Sequence, residues 1–194
     1  MKKLILITAV LLVTATAVSA QQNYVELRGA TPWYNYQEYS RDFAHGLNGD
    51  FYHIGVTGQD QFFAGLCRHF TPAKGVTLTP CFYGVVGTNG QRGVMPALIV
   101  SVEKGKWKTN AFIGRFQRIK GSVLSYTVLD TADVTHVLNK RFDVGVSTGF
   151  FRQEGQWNFQ SGPMIRLKDK RGAWAVSYRF GHTNEIRLIR TISF

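Results

Sequence analysis

From about residue 61 to the C-terminus the chain alternates large apolar residues with small, polar or basic ones, and turn residues interrupt that alternation at a steady beat. The interruptions read TPAKG, TNG, EKGK, IKGS, LNKR, QEGQ, KDKRG and GHTN. A period of two belongs to a strand, whose successive side chains leave on opposite faces. Turn centres about 13 to 19 residues apart leave room for strands of roughly 9 to 12 residues and short connections, and for no amphipathic helix. In AWAVSYRFG, Trp174, Val176, Tyr178 and Phe180 share one face while Ala173, Ala175, Ser177, Arg179 and Gly181 share the other. The same split separates Trp157, Phe159, Pro163, Ile165 and Leu167 from Asn158, Gln160, Gly162, Met164, Arg166 and Lys168.

Residues 1–20, MKKLILITAVLLVTATAVSA, carry two lysines, an apolar run and then small residues, the pattern of a secretory signal peptide. The apolar run falls short of the roughly 20 residues that span a bilayer. Residues 1–20 are therefore expected to be cleaved, leaving 21–194 as one domain, and no Cys at the cut suggests a lipid anchor. Losing Lys2 and Lys3 lowers the formal net charge by two, from +11 to +9. So basic a chain invites a nucleic-acid reading. Export argues against it, and the densest basic run is only Lys168-Asp169-Lys170-Arg171.

Alternation alone does not say which face is wet. A soluble exported ligand-binding barrel or sandwich would bury the aromatic faces; a membrane barrel would turn them to lipid. Three features favour the membrane. The polar face is rich in Gly, Ala, Ser and Thr rather than Lys and Glu; Trp157, Trp174, Phe150, Phe180 and Phe194 gather at strand ends as interfacial girdles do; and no large apolar insert is present to plug the interior.

A signal segment, strands from end to end and a final EIRLIRTISF closing on Phe194 resemble the bacterial outer-membrane β-barrels. The resemblance covers the whole mature chain and points to a superfamily, not to a member. It implies an all-β, antiparallel up-and-down transmembrane barrel in the outer membrane, with outer-membrane lipids and the barrel-assembly machinery as partners, Phe194 being part of the signal that machinery reads. Ten strands are well marked, near 50–57, 61–70, 75–87, 91–103, 106–118, 122–137, 141–152, 156–167, 172–181 and 184–194. YVELRG and WYNYQEY, split by Thr31-Pro32, add two. Even counts predominate, so twelve is expected and ten is the fallback. Turns are short on both sides, which weighs against adhesion or receptor roles. Pro80, Pro96 and Pro163 fall mid-strand, where bulges are expected to absorb them. In the last strand Ile189 and Arg190 break the parity, so either a bulge lies near 189 or Arg190 reaches a membrane rim.

Cys67 and Cys81 flank TPAKG symmetrically, which places them opposite each other; in an oxidising compartment they are candidates for a disulfide, the alternative being two free small apolar residues. Arg166, Lys168, Arg179 and Arg187 share the inward parity on three consecutive strands, and Arg28 on the first strand can join them. Such a basic lumen wall would concentrate small anionic solutes. The same cations would equally balance lumen acids such as Glu26, Asp143 and Glu185. Twelve-stranded outer-membrane channels for acidic sugars are similar in this basic wall, with no closer match of residues. The leading expectation is thus a passive channel for small solutes with a preference for anions. The alternatives are a structural barrel whose lumen is filled by residues such as Tyr83, Phe112, Phe116 and Phe151, and a lipid-modifying enzyme. The H-x-S pattern of lipid A deacylases is absent, no catalytic residue stands out, no metal-ligand spacing is found, and no cofactor is expected.

Overall fold

A chain whose strands carry one apolar face must hide it or present it to hydrocarbon, and the burial pattern shows which. Trp174, Val176, Tyr178 and Phe180 are 43%, 50%, 45% and 55% exposed, whereas Arg179 between them is 1% exposed. Large apolar side chains face outward and the small, polar and basic ones face in. The same holds for Phe159, Ile165 and Leu167 outside and Met164 inside.

The computed structural model describes residues 23–31, 34–56 and 58–194; the signal segment and Pro32 lie outside them. The strands are β1 (Tyr24–Ala30), β2 (Tyr34–Asp42), β3 (Leu47–Val56), β4 (Gln59–Arg68), β5 (Phe70–Ala73), β6 (Val76–Gly87), β7 (Gln91–Lys104), β8 (Trp107–Lys120), β9 (Tyr126–Val137), β10 (Phe142–Gln153), β11 (Gln156–Asp169), β12 (Gly172–Gly181) and β13 (Glu185–Ser193). Neighbours in sequence pair antiparallel, and β1 pairs with β13 from Tyr24↔Ser193 to Ala30↔Arg187. Both β4 and β5 pair with β6, as two halves of one stave interrupted at His69. The result is a closed barrel of twelve staves, the larger of the two expected counts, with short turns at both ends. Gly75 shows what a tight turn requires: its φ is +75° and an added Cβ would sit 2.2 Å from the Glu103 carbonyl oxygen.

The mid-strand prolines do not produce the expected bulges. Pro163 pairs in register with Val146, and the β11–β12 register is the same on both sides of it, at Ser161↔Phe180 and Met164↔Ser177. Pro96 is likewise crossed without a shift between Val94↔Gln117 and Ala97↔Gly114. Each missing donor leaves a local gap in the ladder, which is cheaper than moving a whole side-chain set to the wrong face. Pro80 follows Thr79, which lies beside the break at His69, where the His69 ring nitrogen Nδ1 is 2.8 Å from Thr79 Oγ1.

In β13 the register runs unbroken past Ile189 and Arg190. Ile189 is buried inside, and Arg190 lies outside near the terminus-side rim, where its Nη1 donates to Asp169 Oδ2 at 2.6 Å and its guanidinium lies 5.0 Å from the Trp174 ring centre. The rim position, rather than a bulge, resolves the broken parity. The strand expected near 122–137 begins later, at Tyr126, because residues 121–125 form the turn.

Orientation of the apolar face is testable. Val176→Arg, midway along β12, is expected to cost about 2–4 kcal/mol, and Phe142→Arg at the start of β10 about 0–1. Refolding into phospholipid vesicles, read by heat-modifiable gel migration, should show a lower folded fraction for the first only.

Candidate functional site

The inward faces of twelve staves enclose an interior divided by chemistry. Tyr36, Tyr52, Phe63, Tyr83, Val85, Met95, Phe116 and Tyr126 pack into an aromatic wedge on the β2–β9 side. Tyr52 and Phe63 stack with ring centres 4.2 Å apart, and Tyr126 on β9 donates its hydroxyl to Gln61 Oε1 on β4 at 3.1 Å, tying two well-separated parts of the wall. Phe112 packs against this wedge and Phe151 lies 5.1 Å from Tyr126. Tyr83, Phe112, Phe116 and Phe151 therefore fill part of the lumen.

The remaining space is a cavity of about 1020 Å³. Its lining extends from Asp42, His69 and Glu103 at the end holding the termini to Gln59, Val123 and Thr183 at the other.

Arg28, Arg179 and Arg187 converge on one carboxylate, Asp130. Arg28 Nη1 donates to Asp130 Oδ2 at 2.6 Å; Arg187 Nη1 and Arg179 Nη1 donate to Oδ1 at 2.8 and 3.2 Å. Arg28 also pairs with Glu26, and Arg187 Nε donates to Glu185 Oε1 at 2.8 Å. Arg179, whose side chain is 1% exposed, gives two further bonds to Ser147 Oγ at 3.0 and 2.6 Å, and that hydroxyl donates to Asp133 at 2.6 Å. Arg166 and Lys168 follow along β11, Arg166 beside Asp133 at 3.6 Å and Lys168 donating to Asp143 at 2.6 Å. Each of the five basic residues of the wall thus has a carboxylate neighbour.

Asp130 and Asp133 are the residues that sequence reasoning missed. Three positions apart on an alternating strand, they belong on opposite faces. Both point inward because β9 carries a bulge: between Asn110↔Asp133 and Phe112↔Asp130, β8 advances two residues and β9 three. The extra residue is accommodated at Thr131, whose φ of +47° is left-handed and unusual for a β-branched side chain. Gly149 completes the site from β10, since a Cβ there would lie 2.9 Å from Arg179 Nη1. The only hint in the sequence is a second acid at odd spacing in VLDTADVT.

Across the cavity β1–β3 offer acids met by hydroxyls. Tyr24 and Tyr36 donate to the two oxygens of Glu38 at 2.5 and 2.6 Å, and Tyr83 donates to Asp50 Oδ2 at 2.6 Å. Arg28 borders this strip, its guanidinium 4.2 Å from the Tyr36 ring centre. Cys67 and Cys81, paired in register on β4 and β6, form a disulfide, and the Tyr83 hydroxyl lies 3.4 Å from Cys67 Sγ. Near the terminus-side mouth His69 Nε2 is 3.3 Å from Asp42 Oδ1. His53 sits with Asp60 on the outer face, at 3.0 Å. Phe194 closes β13 with its ring 6.3 Å from Tyr39, also on the outer face. Among the described residues no group of three or more His, Cys, Asp and Glu side chains is placed to hold a metal.

Breaking a buried ion-pair cluster from one side is costly. Asp130→Asn is expected to lower stability by about 3–5 kcal/mol, and Asp133→Asn by less, because its contacts to Arg166 and Arg179 are longer, at 3.6 and 3.9 Å. Urea unfolding in lipid vesicles, followed by tryptophan fluorescence, gives the order.

No family model matches the chain, and no curated protein matches it. Solved structures do. The KdgM porin superposes with a TM-score of 0.67 at 11% identity, covering 89% of this chain and 99% of its own, and a structure of KdgM porin in complex with disordered oligogalacturonate gives the same values. The NanC porin superposes with a TM-score of 0.59 at 11% identity, covering 89% and 98%. At such identity the likeness is one of fold: this chain is a closed twelve-strand antiparallel β-barrel built as these porins are.

Proposed function

We propose that the barrel lies in the outer membrane, delivered there by a cleaved signal segment and recognised by the assembly machinery through Phe194, and passes small solutes passively, with a preference for anions. One observation carries the channel reading. The cavity lining continues from one mouth to the other between the aromatic wedge and the ion-paired wall. A structural barrel would have no need of such a passage.

The preference for anions is supported by the wall of Arg28, Arg166, Lys168, Arg179 and Arg187 and by the terminus-side turns. Those turns carry Lys104, Lys106, Lys140, Arg141, Lys170 and Arg171, against Glu103 and Asp169. Guanidinium groups keep several N–H donors beyond those a carboxylate uses, so the paired wall can still meet a passing carboxylate. Compensation by Asp130, Asp133 and Asp143 makes the preference modest. The oligogalacturonate bound by the KdgM porin is an acidic sugar oligomer, and short acidic sugars are the substrate class we assign here.

In planar bilayers the purified barrel is expected to conduct ions with a reversal potential displaced toward anions. Arg166→Glu and Arg187→Glu together should reverse that sign, after heat-modifiable migration has shown that the variant folds. A folded barrel that does not conduct would favour the alternative in which the aromatic wedge makes it a structural element of the membrane.

A further inference from the structure

The lipid-facing wall holds a second feature, unrelated to the lumen. On the side formed by β1 to β8 the outer surface dips into a trough of about 780 Å³, bordered by Leu27, Tyr39, Phe51, Phe62, Val86 and Ile119. Its floor is low because Ala64 on β4 and Gly84 on β6, the two smallest kinds of side chain, pair in register and also line it. An added Cβ at Gly84 would meet nothing nearer than the Ala64 carbonyl oxygen at 3.9 Å. The dip is therefore unfilled space rather than close packing.

At the end of the trough away from the termini stands Arg92. Its register partner on β8 is Lys120, and both are exposed. Like charges placed directly opposite on neighbouring strands repel. Neither forms an ion pair among the described residues, and Asp60, two strands from Arg92, is engaged with His53. Arg115, on the same outward face of β8, is bonded to the neutral hydroxyl of Thr127 at 2.7 Å. The other end of the barrel treats an outward cation differently, since Arg190 has Asp169 at 2.6 Å. Two opposed, uncompensated cations beside an apolar trough make a site that lacks an anion with a hydrocarbon tail.

We propose that this trough binds a membrane lipid with a net anionic phosphate headgroup, one acyl chain lying over Ala64 and Gly84 and the phosphate bridging Arg92 and Lys120. The phosphate oxygens accept charge-assisted hydrogen bonds from both side chains, removing the repulsion between them. Hydrocarbon is the medium the outward face already meets, so seating the chain needs no pocket to be emptied of water. The site depends on the barrel spanning a membrane and not on its conducting; a nonconducting barrel would keep it.

Native mass spectrometry of the folded barrel from mixed micelles tests the assignment, with phosphatidic acid and phosphatidylcholine of identical chains as probes. Phosphatidic acid should be retained about thirtyfold more, as two cations near a membrane surface imply, and the margin should shrink as salt is raised. Arg92→Gln with Lys120→Gln should abolish the headgroup preference while both lipids still bind weakly. Gly84→Leu, for which there is room, should reduce retention of both. Arg171→Gln, at the opposite end, should change neither. Equal retention of the two lipids by the unaltered barrel, or a preference that survives the double change, would overturn the phosphate site; full retention by Gly84→Leu would overturn the seat of the chain.

Discussion

The seam between β1 and β13 is where this molecule meets the condition set by hydrocarbon, that every backbone N–H and C=O find a partner within the protein. An open sheet of the same strands would leave two edges of unpaired groups facing lipid. Closing through Tyr24↔Ser193 to Ala30↔Arg187 removes both, and it brings Arg28 of the first strand beside Arg187 of the last. The same closure that makes the barrel admissible in a membrane therefore assembles its most charged site.

Within that ring the charges are arranged to be buried rather than displayed. Three arginines around Asp130 would repel one another in a poorly solvated lumen; Asp130, Glu26 and Glu185 bring the group close to neutrality. Asp133 and Asp143 do the same for Arg166 and Lys168. On the channel reading proposed above, a wall so compensated would act on a solute through directed hydrogen bonds more than through net potential, with the lysine-rich turns supplying the longer-range field. The hydrogen bond of Tyr126 to Gln61 and the stacking of Tyr52 on Phe63 hold the aromatic wedge together on the β2–β9 side, which leaves the remaining cavity bordered by the ion-paired wall.

The outer surface follows a different logic. Its charged residues sit at the rims, and whether each is compensated differs between the two ends. Arg190 is neutralised by Asp169 and packed on Trp174, whereas Arg92 and Lys120 face each other without an acid. A rim cation left in that state is most stable where lipid phosphates are near.

Much of the architecture is legible in the sequence itself. Strict alternation in segments such as AWAVSYRFG assigned each side chain to a face, and the turn beat with the two N-terminal segments led to twelve staves, because strand periodicity is a local property of the backbone. The mirror placement of Cys67 and Cys81 about a short turn was readable for the same reason. What the tertiary structure alone decided were the places where locality fails. One extra residue at Thr131 turned Asp130 inward beside Asp133, the prolines kept register where bulges were expected, and Arg190 found its acid two strands away, at the end of β11. Pairing across a lumen, and the shape of a trough spread over several strands, depend on how a closed sheet curves and staggers. Those are properties of all twelve staves at once, and no stretch of the chain carries them by itself.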